Sequence, residues 1–188
     1  MIYIPPLDGD QPLISAQSLR SRRIVGRLDR GGDLLKGILD LCARAQVRSG
    51  EIRATGYLED AELTELDPTN RRMKPGRRLH QPGQLLQLLT LSGTVTEHQG
   101  SLGAVAFATL SREGDVGLQV LGGQLASARV YHVEVVVEVF DDLLLRRGLD
   151  ERSGALVWTE ALGAPVGPRP PEPAAKPEPR PEAKIEAK

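Results

Sequence analysis

Cysteine, net charge, long apolar runs and catalytic signatures are all scarce in this chain, and each scarcity narrows what it can be. One cysteine, Cys42, leaves no internal disulfide and fits a reducing compartment. A formal net charge of −1 means that nothing global draws the chain to nucleic acid or to a membrane. No run of about 18 apolar residues is present, which argues against a transmembrane helix. The opening MIYIPPLDGD lacks both a basic stretch and a long apolar core, so it does not read as a secretory signal. A cytoplasmic, non-membrane protein is the expectation. There is no Gly-x-x-x-x-Gly-Lys loop for phosphates and no Gly-x-Ser-x-Gly elbow for a nucleophile. The adjacent carboxylates Asp141 and Asp142 fall at the end of an expected strand and read as a solvated strand end. No enzyme and no cofactor are expected.

What is present divides the chain into three parts. Residues 1–20 form an extension broken by Pro5, Pro6 and Pro12. Residues 163–188 are mostly Pro, Ala, Glu, Lys and Arg, with Val166 and Ile185 as the branched aliphatics and Gly163 and Gly167 besides. Such a stretch cannot bury enough apolar surface to outweigh chain entropy, so a disordered tail with polyproline II character is expected. Residues 21–162 remain as one domain.

Within that domain, a strand is expected over 22–28, and Gly31-Gly32 marks a turn. Asp33 is the helix N-cap, and Leu35, Ile38, Leu39 and Cys42 are the buried stripe of a helix over 34–45. Cys42 on that stripe reads as a small buried hydrophobe. From Gly50, the residues Ile52, Ala54, Gly56 and Leu58 alternate with Glu51, Arg53, Thr55 and Tyr57, the pattern of a half-buried strand. It continues past a bend near Asp60 towards Leu66, and a polar loop with several breakers follows. Strands are expected over 85–97, 102–110, 116–120, 129–140 and 155–159, with Gly122-Gly123 as a turn. Val133, Val135, Val137 and Val139 share one face of the strand over 129–140, and Glu134 and Glu138 share the other. One main helix and about seven strands in hairpin order imply an α+β domain with a mostly antiparallel sheet.

Two clusters of arginine stand out against the neutral whole. Arg71, Arg72, Lys74, Arg77 and Arg78 lie within eight residues that no acid interrupts. They are candidates for contacting DNA phosphates, and a solvated loop is the equal alternative. Arg20, Arg22, Arg23, Arg27 and Arg30 surround the first strand, where a charged, aggregation-resistant edge is the favoured reading. His80, His98 and His132 are scattered and read as surface or hydrogen-bonded histidines rather than a ligand set.

The order of these pieces resembles the PPC domain, a fold conserved in plants and prokaryotes. The resemblance rests on Gly31-Gly32-Asp33 opening the helix, the strand from Gly50 to Leu63, and the Leu91-Ser92-Gly93 segment. Gly122-Gly123-x-Leu125 and the Glu-bearing strand over 130–140 complete it. Prokaryotic members of that family usually carry a His-x-His pair and a third His in the Gly-Gly segment. Val105, Phe107 and Gln124 stand at those positions here. Alternate residues of a strand point the same way, so two histidines there could share a zinc ion, whereas valine and phenylalanine offer no lone pair. The resemblance therefore implies a lost metal site and apolar side chains that pack as core, with a dry pocket for a small apolar ligand as the alternative.

It also implies a homotrimer, with DNA and, through the tail, other proteins as candidate partners. The plant proteins couple this domain to AT-hooks, and no Arg-Gly-Arg-Pro core is present in this chain. The expected function is a non-enzymatic, DNA-associated role in transcription regulation, cytoplasmic or at the nucleoid. The alternative is an oligomeric protein-interaction module that makes no DNA contact.

Overall fold

Asp33 begins the only helix among the described residues in the manner its residue type allows. Its backbone is extended, at φ −76° and ψ 134°, and its carboxylate accepts a hydrogen bond from the Lys36 N–H at 2.9 Å. The other carboxylate oxygen accepts from the Ala128 N–H at 3.2 Å, tying the helix start to a distant strand. Helix α1 spans Leu34–Arg44. In this computed structural model residues 14–80, 82–115 and 117–163 are described. Most of the expected N-terminal extension, and the tail from residue 164 onward, lie outside the described residues.

The strands are β1 (Ser21–Asp29), β2 (Gly50–Thr64), β3 (Arg77–Leu79), β4 (Leu86–His98), β5 (Ser101–Gly114), β6 (Gly117–Phe140), β7 (Leu144–Leu149) and β8 (Leu156–Leu162). All eight join one sheet in the order β3-β2-β6-β5-β4-β7-β8, with β1 added alongside β6. A further pairing of β2 with β4 closes the path β2-β6-β5-β4 into a ring. Every pairing is antiparallel except a short parallel contact between β4 and β7 at Glu97 and Arg146. The α+β, mostly antiparallel architecture is as expected, with eight strands among the described residues where about seven are expected.

The period-two pattern does what it predicts. Ile52, Ala54 and Leu58 of β2 are buried, and so are Val133, Val135, Val137 and Val139 of β6. Leu88, Leu91 and Val95 of β4 and Ala106, Ala108 and Leu110 of β5 complete the inner face. Helix α1 adds Leu34, Ile38 and Cys42 as its fully buried stripe. Leu35 and Leu39, expected in that stripe, pack at its margin, half-buried.

Four expectations need correction. Gly122-Gly123 is not a turn. It lies inside β6, one continuous strand of 24 residues where two had been expected. Glycine is required there by close packing, since a Cβ on Gly123 would stand 2.9 Å from the Thr64 carbonyl oxygen of β2. The polar loop after β2 contains β3, which pairs with Ala61–Leu63. Strand β7 was not expected at all, because a six-residue stretch interrupted by Arg146 and Arg147 shows no alternation. Finally, Asp142 is not a free strand end. It accepts hydrogen bonds from the Ser18 hydroxyl at 2.6 Å and from the Leu19 and Arg20 N–H groups at 2.7 and 3.1 Å. Its neighbour Asp141 pairs with Arg22.

Candidate functional site

Two surfaces gather the residues singled out from the sequence. The first is the basic segment. Asp67 organises it by accepting from the Thr69 and Asn70 N–H groups, which holds its carboxyl below the usual carboxylate range. The chain then reverses, with Arg71 in the left-handed region at φ 58°. Leu66 bridges to Met73, and the Met73 N–H donates to the Ser153 carbonyl. Arg71 and Arg72 stand exposed at the end of this ordered loop. Arg77 and Arg78 belong to β3 rather than to a loop.

The five cations are not equivalent. Lys74 pairs with Glu65 at 2.9 Å, and that carboxylate raises the pKa of the Lys74 ammonium. Arg78 pairs with Asp60 at 3.2 Å. Among the described residues, Arg71, Arg72 and Arg77 form no ion pair. The cluster around β1 is a charged edge of the expected kind. β1 pairs with β6 alone, and Arg22, Arg23, Arg27 and Arg30 are matched by Asp141, Glu138, Asp29 and Glu59.

The second surface is a concavity of about 660 Å³ between β5 and the β7–β8 hairpin. The structure brings Val105, Phe107 and Gln124 together along it, because Phe107 of β5 lies opposite Gln124 of β6 and Val105 follows two residues away. They do not pack as core. Val105 is half-buried and Phe107 is 58% exposed. The reason is that β5 turns this face away from the ring, and the β7–β8 hairpin stands opposite instead of covering it. That hairpin contributes Arg147, Leu156, Val157 and Trp158, none of them a candidate site residue from the sequence. Phe140 closes the far side, so both phenylalanines and the single tryptophan of the chain share one concavity.

Arg147 is the cation of this surface. Its two terminal nitrogens donate to the Leu156 carbonyl at 2.7 Å and the Thr94 hydroxyl at 2.8 Å. Its guanidinium lies over the Trp158 ring, 5.7 Å from the centroid. Its Nε is buried with no hydrogen-bond partner among the described residues. Burial lowers its pKa from the ordinary arginine value, with no carboxylate acting in the other direction.

The histidines do not converge. His80 and His132 are exposed, the latter against Tyr57 at 5.2 Å between ring centroids. The Nδ1 of His98 lies 2.9 Å from the Arg147 carbonyl oxygen. Among the described residues, no group of three His, Cys, Asp or Glu side chains is arranged to hold a metal ion. No helix there is long and apolar enough to cross a membrane.

A ring of antiparallel strands closed by one helix, with the helix cap and the Gly-Gly strand so placed, defines a family. The family model of the Plants and Prokaryotes Conserved (PCC) domain matches residues 16–141, and the chain belongs to that family. Solved structures share the fold. A metal-containing protein from Archaeoglobus fulgidus is similar at 25% identity and a TM-score of 0.67, over 80% of this chain and 100% of that one. A plant- and prokaryote-conserved protein from Pyrococcus horikoshii is similar at 20% identity and a TM-score of 0.67, over 79% and 98%. A protein from Bacteroides thetaiotaomicron, described provisionally as DNA-binding, is similar at 17% identity and a TM-score of 0.62, over 72% and 90%. No curated protein matches the chain significantly. Arg147 and the rest of the β7–β8 hairpin lie beyond the family match, whereas Val105, Phe107 and Gln124 lie within it.

Proposed function

We propose that this chain is a non-enzymatic, DNA-associated regulatory protein that touches the phosphate backbone through Arg71, Arg72 and Arg77. One observation carries the reading: these three arginines are exposed on an ordered loop and strand and have no acidic partner among the described residues. Lys74 and Arg78 lend less, because Glu65 and Asp60 already neutralise them. Phosphate contacts of this kind are salt-dependent and indifferent to sequence. The description of the Bacteroides protein as DNA-binding supports the same direction. A homotrimer in the cytoplasm would present three such loops, and multivalency would raise a weak individual affinity.

The test is a fluorescence-anisotropy titration on random duplex DNA at low and near-physiological salt. Wild-type protein binds at low salt and weakens steeply as salt rises. Exchanging Arg71, Arg72 and Arg77 for Ala lowers the affinity and reduces the log–log salt slope by roughly one per arginine removed. Unchanged binding in that variant removes the loop from the reading.

A second reading, an oligomeric protein-interaction module without DNA contact, is favoured by a separate observation. Leu118 and Val120, alternate residues of β6, are 69% and 59% exposed on the hairpin arm formed with β5. Partners captured by the protein that survive nuclease treatment would support this module.

A further inference from the structure

The concavity between β5 and the β7–β8 hairpin combines two features that a solvated surface has little reason to keep. The first is apolar. Aromatic residues make up 3% of the chain, yet both phenylalanines and the only tryptophan line this one depression, with Val105, Leu156 and Val157 beside them. Its volume of about 660 Å³ falls within the usual range of small-molecule sites. The second is a cation without a counter-ion. Arg147 is half-buried here and forms no ion pair among the described residues. The only carboxylate on the concavity wall, Glu51, is directed to Arg53 at 3.7 Å. A partly desolvated, unpaired cation is costly, and the cost is relieved by an anion placed against it.

The guanidinium is also prepared for such an anion. Neutral acceptors, the Leu156 carbonyl and the Thr94 hydroxyl, hold one N–H of each terminal nitrogen, and the Trp158 ring supports its plane. Each terminal nitrogen carries two N–H groups, so one donor on each remains. The charge is fixed in place before anything binds, which lowers the ordering cost of binding.

We propose that this concavity binds a small organic anion with an apolar body, a monocarboxylate facing Arg147 with its hydrocarbon part against Phe107, Val105 and Trp158. The charge selects the carboxylate end, and the aromatic walls select the body. The hairpin that supplies Arg147 and Trp158 lies beyond the residues that match the family model.

Trp158 is the only tryptophan, so its fluorescence reports this site alone. The full-length protein is titrated with octanoate, and with octanol and octylamine as probes of equal length but different charge. Octanoate is expected to give a saturable change, with octanol and octylamine weaker by roughly tenfold or more. Arg147→Met is expected to weaken octanoate by a similar factor while leaving octanol unchanged. Phe107→Ala, at an exposed position whose loss leaves the core intact, weakens both. Equal responses to all three probes, or no response to any, overturn the proposal. Sedimentation of the same samples provides the remaining outcome. A multimer that dissociates on Phe107→Ala, together with an octanoate-insensitive wild type, would make this face an interface between copies and overturn the proposal as well.

Discussion

Cys42 shows how far a single residue can be read. Its place on the apolar stripe of α1 marks it as a buried hydrophobe, and in the structure it is fully buried. Burial pushes its thiol up to about 11, so the thiolate that reacts is scarce at neutral pH. The expected outcome is that a thiol-specific reagent labels native protein negligibly near pH 8, and labels it stoichiometrically once denatured. Rapid native labelling would contradict the burial. The arginines behave differently. Sequence identifies every one of them, but it cannot say which already hold a partner. Lys74 meets Glu65 nine positions earlier, and Arg78 meets Asp60 across a strand pair. Only folding separates those two from Arg71, Arg72 and Arg77.

At the scale of elements, regular periodicity was legible and irregular geometry was not. The alternation in β2 and in the later part of β6, and the cap and stripe of α1, follow from residue type and spacing. The glycines misled, because a Gly-Gly pair serves a turn and a close strand crossing equally well. Gly93 of the Leu-Ser-Gly segment is a second crossing of this kind. A Cβ there would meet the Val105 carbonyl oxygen and stand 2.6 Å from the Ala106 Cα, both backbone atoms that cannot yield cheaply. Gly93→Ala is therefore expected to destabilise the fold by about 1–3 kcal/mol, read from the urea midpoint at unchanged m-value. An unaltered midpoint would mean that the β4–β5 pair has more room than these distances allow.

At the scale of the molecule, closure depends on contacts between distant parts of the chain. Asp142, after β6, holds residues 18–20 through three hydrogen bonds, and these keep its carboxyl below the ordinary value of 3.8. Asp67 and Asp150 are lowered in the same direction by donors in their own turns. A carboxylate with a depressed folded pKa contributes stability that is present above its unfolded pKa and lost as pH falls through the folded one. Stability is thus expected to decline below about pH 4. Asp142→Asn lacks its share of that decline, so its denaturation midpoint shifts less on acidification than the wild type's. Equal acid sensitivity in the two proteins would show that the clamp adds nothing.

By itself, the sequence determined the fold class, the helix and its cap, the inner faces of the long strands and the family. All of these rest on local spacing and residue type, which act within one element. Tertiary structure alone decided which cations remain unpaired, and that Val105 and Phe107 line an open concavity instead of joining the core. It also brought Arg147 and Trp158 opposite those two residues. Each of these depends on which segments become neighbours; for the concavity the partners stand about forty or more positions apart, joined only when the β7–β8 hairpin folds back beside the ring.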